Sequence, residues 1–191
     1  SGGEYSTLGF YERFDILGAV EYLKEVQQID ANVWIFGVSM GGAAAILAGR
    51  ETNDIGGYIV ESPFLSFENV VSHYLKLLLR IPKFPIGTTA VWITARRMGF
   101  NSDDFNIEEA IGQIPDVPIL IFSGEQDSRI PPRTVEKIYA AVRSSQKSYK
   151  KLPEVTHGAG YRKQPELYKK TITRFLQNSF PHLGEPVPGD D

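Results

Sequence analysis

The chain has 191 residues, a formal net charge of −3 and no cysteine. Its length suits a single domain with a sizeable core, and its interspersed charges leave no electrostatic footprint for nucleic acid. Disulfides, zinc thiolates and a thiol nucleophile are excluded, and no apolar run approaches the length of a membrane span.

Taken in order, apolar residues recur at Phe10, Phe14, Leu17, Val20 and Leu23. That spacing predicts an amphipathic helix ending near Gln28, with Glu12, Arg13, Glu21, Lys24 and Glu25 on its wet face. Asp30-Ala31-Asn32 turns into an apolar strand at Val33, and small helix formers follow from Met40 to Arg50. A second strand, Gly57 to Ser62, is stopped by Pro63.

Residues 64–105 read differently. Val70 to Leu79 and Thr88 to Met98 have helical character, with Ile81-Pro82-Lys83-Phe84-Pro85 breaking the run between them. The segment is too long for a plain connection and reads as an inserted cap. Leu75, Leu77, Leu78, Leu79, Ile81 and Phe84 are dense in apolar surface, with Lys76, Arg80, Lys83, Arg96 and Arg97 among them. The favoured reading packs these apolar residues on the domain body; the alternative is a membrane-facing or acyl-lining surface.

Asn106 with Glu109 three residues on has the form of a helix cap. Val117 to Phe122 is a third buried strand. Pro131-Pro132 open a helix with Val135, Ile138, Tyr139 and Val142 inward. Tyr149 to Leu152 is a fourth, weaker strand. A last helix runs from Pro165 to Asn178 with Leu167, Tyr168, Ile172 and Phe175 inward. Strands alternating with helices make an α/β parallel sheet, each gap supplying a crossover.

Gly37-Val38-Ser39-Met40-Gly41 sits where the first strand meets its helix. This is the nucleophile-elbow pattern, G-x-S-x-G, in its required context. The sharp turn brings backbones together, so a Cβ at Gly37 or Gly41 is expected to clash. Ser39 then stands at the apex with its hydroxyl exposed, and the Met40 N–H at the helix start can donate to an oxyanion.

A serine hydroxyl needs a base, and the base an orienting acid. Of the three histidines, His73 lies in the cap and His182 in the tail. His157 follows the last strand beside a glycine, at the sheet end where open α/β sheets bind ligands. Asp127 follows the third strand at the same end and is the preferred acid. Glu61, at the end of the second strand, is its rival. The three histidines are too scattered for a metal site, Gly41-Gly42 lacks the Lys-Ser/Thr of a phosphate loop, and no cofactor motif is present.

The order Ser39, Asp127, His157 is that of α/β-hydrolases. Gly37 to Gly42 resembles their elbow, Ser123-Gly124-Glu125-Gln126-Asp127 their acid loop and Thr156-His157-Gly158 their histidine loop. Glu61-Ser62-Pro63-Phe64 and the pattern around Ser6-Thr7-Leu8-Gly9 resemble the Bem46-like (YqkD-like) branch of esterases and lipases. The resemblance runs from Ser1 to about Phe180. It implies a partial α/β-hydrolase fold: about four strands of a mostly parallel sheet, flanking helices and a helical cap. It assigns 1–180 to the C-terminal part of one domain, with the cap at 64–105; the stretch 181–191, rich in Pro, Gly and acids, reads as a flexible tail. It also implies that the first strands and the second oxyanion donor lie upstream of Ser1, which would leave the Val33 strand at a sheet edge.

The implied function is hydrolysis of small carboxylic esters through an acyl-enzyme, without a cofactor. Ser39, His157 and Asp127 would form the triad and the Met40 N–H the oxyanion donor. A thioesterase or an amide hydrolase would use the same residues. The rival from another class is a non-catalytic interaction protein on this scaffold. A cytoplasmic and a membrane-associated setting both fit the sequence.

Overall fold

A computed structural model describes residues 6–29, 33–79 and 86–180, without the side chains of 77–79. Four strands, β1 (Val33–Val38), β2 (Ile55–Glu61), β3 (Ile119–Gly124) and β4 (Lys147–Leu152), form a parallel sheet in the order β1-β2-β3-β4. This is the expected α/β arrangement. Among the described residues β1 lies at one edge, and its Phe36 is 55% exposed.

The central strands read as unbroken apolar runs because both sheet faces are covered. Their side chains still alternate. Tyr58, Val60, Ile119 and Ile121 enter a core with α1 (Glu12–Glu21), α2 (Met40–Gly49), α5 (Ile107–Ile111) and α6 (Pro132–Ala141). Ile59, Leu120 and Phe122 face the other way, toward Tyr168 and Phe175 of α8 (Pro165–Ser179). α2 is almost wholly buried, which explains its run of alanines: it packs close to the sheet on one side and to α1 and α5 on the other.

The segment between β2 and β3 carries α3 (Phe67–Leu79) and α4 (Thr88–Arg97). Phe67, Val70, Val91, Ala95, Phe100 and Phe105 join the main core, and of the apolar residues expected on the domain body Leu75 is partly buried. Tyr74, Ile86, Trp92 and Ile93 do not, and are exposed. Ile81, Phe84, Arg80 and Lys83 fall outside the described residues, as do the side chains of Leu77, Leu78 and Leu79 and the whole of 181–191.

The first helix departs from its expected faces. α1 continues into a π-helical turn, Tyr22–Val26. Phe14, expected inward, is 49% exposed, whereas Arg13, expected in water, is buried. Arg13 pairs with Glu51 at 2.6 Å, donates to the Phe10 carbonyl and lies 4.2 Å from the ring centres of Phe10 and Phe14. A guanidinium paired and stacked in this way can be buried, and its planar face displaces Phe14 outward.

Glu12 does the work of a loop clamp. Its carboxylate accepts from Ser6 Oγ, Thr7 N, Thr7 Oγ1 and Gly9 N. Burial pushes its pKa up, but these donors outweigh it and pull the carboxyl down to about 2. A folded pKa below the unfolded one adds stability that is complete above the unfolded value, near 4.5, and lost as pH falls toward 2. Glu12→Gln is therefore expected to lower stability at pH 7, with the gap from wild type closing in acid. Urea unfolding of both proteins across this range measures it; a pH-independent gap would mean that the charge is not what the loop uses.

Candidate active site

Ser39 is the residue before α2, with φ 53° and ψ −112°. This is a strained conformation for a residue with a Cβ and points to function rather than to a default turn. It is held from both sides: its N–H donates to the Glu61 carbonyl at 2.8 Å, and its carbonyl accepts from Ala43 N at 3.0 Å. Gly37 permits the turn, because a Cβ there would sit 2.6 Å from the Gly41 carbonyl oxygen. The expected clash at Gly41 is not found. A Cβ there meets nothing within 4 Å, since Gly41 is already on the helix and turned away from the strand.

The structure brings Ser39, His157 and Asp127 together. His157 Nε2 is 2.8 Å from Ser39 Oγ, and His157 Nδ1 is 2.8 Å from Asp127 Oδ2. With neutral imidazole, the hydrogen-bond network assigns the proton to Nδ1, which donates to Asp127, and leaves Nε2 to accept from the serine. The Asp127 side chain is fully buried and His157 is 16% exposed.

Asp127 must stay ionised to hold that tautomer. Burial raises its pKa, but His157 and the Ile130 N–H outweigh burial and bring it below the ordinary value. Its Oδ1 accepts from Arg129 N at 3.0 Å and Ile130 N at 2.8 Å, so the turn after β3 is closed by the same carboxylate. The Ser62 hydroxyl, buried and without a hydrogen-bond partner among the described residues, pulls in the same direction. On the histidine side, Gly158 turns the loop with φ 61°, and a Cβ would press on Val38 at 3.2 Å.

Met40 opens α2, so its N–H has no acceptor within the helix and is free to meet a developing negative charge. The Met40 side chain is 38% exposed, and Ser6 Oγ lies 3.4 Å from its sulfur.

Glu61, the rival acid, does something else. Its carboxylate accepts from Gly160 N at 2.8 Å and from Tyr168 Oη at 2.9 Å, while its own carbonyl holds Ser39. Burial first, then the Glu61 charge, pushes the Tyr168 phenol well above its usual range, so that it remains a donor. One residue thus ties the serine turn to the segment just after His157. The sequence signal was an acid at a strand end before a proline; its partners lie about a hundred positions away and could not be read. Glu61→Ala leaves two buried donors unpaired, at about 1–3 kcal/mol. It is expected to lower kcat by roughly 10²-fold with KM little changed, the usual effect of a small misplacement. Glu61→Gln keeps an acceptor for Gly160 N and should recover most of the rate. A Glu61→Ala protein with reduced melting temperature but wild-type kcat would limit Glu61 to stability.

His73 lies on α3, away from this cluster in sequence, with its Nε2 buried and unpartnered. His182 is outside the described residues. Among the described residues no group of His, Asp and Glu is arranged to hold a metal ion.

The sequence pattern of the prolyl oligopeptidase family matches residues 5–182. Protein YqkD of Bacillus subtilis is 29% identical over 180 residues, covering 93% of this chain and 58% of its own length. Protein bem46 of Schizosaccharomyces pombe is 26% identical over 156 residues, covering 78% and 47%. The chain therefore spans about half the length of these curated relatives. Among solved structures, the Pyrococcus furiosus esterase Pf2001 superposes with a TM-score of 0.71 at 19% identity, covering 94% of this chain and 66% of that one.

Proposed function

We propose that this chain, which belongs to the prolyl oligopeptidase family and has an α/β-hydrolase fold, carries the triad of a serine hydrolase acting on small carboxylic esters. The observation that carries this reading is the continuous chain from Ser39 Oγ through His157 to a buried Asp127, each link 2.8 Å, on a serine in strained backbone.

In this mechanism His157 Nε2 takes the hydroxyl proton as Ser39 Oγ attacks the ester carbonyl. The tetrahedral oxyanion accepts from the Met40 N–H, and Asp127 stabilises the imidazolium. The C–O bond to the alcohol breaks, and the alcohol leaves with the proton from Nε2. Water, deprotonated by the same nitrogen, then attacks the acyl-serine; the acid departs and Ser39 regains its proton. A second reading, amide hydrolysis, uses the same atoms and is favoured by the peptidase name of the family. Thioester cleavage needs nothing different. The ester reading is preferred because the superposing Pyrococcus furiosus protein is an esterase.

The test is a fluorophosphonate probe followed by peptide mapping. A single adduct on Ser39, absent in Ser39→Ala, is the expected result. No adduct would favour a non-catalytic interaction protein, and an adduct at another residue would move the nucleophile away from Ser39. Rates on matched nitrophenyl esters, thioesters and anilides then rank the leaving groups.

A further inference from the structure

We propose that the outer face of α4 docks on the surface of a membrane that carries anionic lipid. The inference stands on this surface alone and does not depend on the triad. All twenty-three Asp and Glu residues of the chain lie outside residues 70–98, yet that stretch carries Lys76, Arg80, Lys83, Arg96 and Arg97. A chain of net negative charge has thus gathered a purely cationic segment.

The geometry of α4 sorts its own residues into two sides. Val91 and Ala95 are buried, at 2% and 1% exposure. Trp92 is 58% exposed and Ile93 41%, and Arg96 and Arg97 are exposed one turn further on. Positions 92, 93, 96 and 97 follow the spacing that places side chains on one helix face. Ile86, 57% exposed, precedes the helix, and Tyr74, 37% exposed, lies on α3, which packs beside it. Neither arginine forms an ion pair among the described residues.

An ordinary surface helix keeps its apolar residues inward. Here an indole and an isoleucine face outward beside two unpaired guanidinium groups. That combination matches the boundary between acyl chains and anionic headgroups, where tryptophan ring and arginine charge are each favoured. A second copy of the chain is a poor occupant, because it would set the same cations against each other. α4 is ten residues long, the scale of a helix that lies in the interface, and no helix among the described residues is long and apolar enough to cross a membrane.

Tryptophan fluorescence reads this directly. The chain has two tryptophans, so Trp34→Phe leaves Trp92 as the only reporter. Mixed with vesicles of phosphatidylcholine and phosphatidylglycerol, this protein should show a blue-shifted emission that high salt reverses, and little shift with pure phosphatidylcholine. Each cation near an anionic surface contributes on the order of fivefold to partitioning. Arg96→Glu with Arg97→Glu should therefore weaken sedimentation with the anionic vesicles by about tenfold or more. A second basic surface, around Lys170 and Arg174 in the groove between α8 and β4, serves as control. Lys170→Glu with Arg174→Glu should leave binding and the Trp92 shift intact. Equal binding to neutral vesicles, no shift with either vesicle, loss of binding only in the control pair, or self-association through Trp92 in place of lipid binding would each overturn the proposal. Circular dichroism confirms that the surface variants are folded.

Discussion

Alanine at His157 is expected to lower kcat by about 10⁶-fold while the fold survives, the size of loss seen when a triad base is removed elsewhere. The loss should be this large because, among the described residues, His157 Nε2 is the basic group hydrogen-bonded to Ser39 Oγ, at 2.8 Å. Stability should change little. The imidazole is partly exposed, and its removal opens a cleft rather than a closed cavity. Asp127→Asn is expected to cost about 10⁴-fold, since an amide beside Nδ1 favours the wrong tautomer. Its Oδ1 can still accept from Arg129 N and Ile130 N, so the turn after β3 should hold. Steady-state kinetics on a nitrophenyl ester, with melting curves on the same samples, test both variants. A near-normal Asp127→Asn with a collapsed Glu61→Gln would move the acid to Glu61 and undo the assignment.

What could be read from the sequence was whatever depends on neighbours in the chain. The elbow is five residues long, and its strand, turn and helix are local; Ser39 was legible for that reason. His157 and Asp127 were legible because each follows a strand, and parallel strands end on the same side of a sheet. Apart from the clash expected at Gly41, the misreadings are long-range. Helical spacing put Arg13 in water because it could not show Glu51, thirty-eight positions away. Glu61 was visible as an acid at a strand end, yet its partners Gly160 and Tyr168 come from the far end of the chain. Trp92 and Ile93 are as apolar as Val91, and only the helix's orientation against the core separates them.

Gly37 and Gly41 look equivalent in the motif, and the structure makes opposite predictions for them. A Cβ on Gly37 would lie 2.6 Å from the Gly41 carbonyl oxygen and 2.7 Å from Gly42 N. These are backbone atoms of a buried helix and cannot rotate away, as a side chain could. Relief requires α2 to shift from β1, against the packing that buries Ala43, Ala45, Ile46 and Leu47. Overpacking of this kind costs about 1–3 kcal/mol, sometimes more. At this chain length Gly37→Ala should lower the melting temperature by roughly 2–12 °C. Activity should fall further than stability. The shift carries Ser39 Oγ off its line to His157, and a displacement near 1 Å costs about 10²-fold even in a folded protein. Gly41→Ala meets open space instead. A glycine replaced by alanine within a helix gains about 0.5–1 kcal/mol, so its melting temperature should hold or rise. Differential scanning fluorimetry of the two variants side by side separates the cases. Equal destabilisation would mean that both glycines are needed for backbone conformation, and that the contact between β1 and α2 is not what selects Gly37.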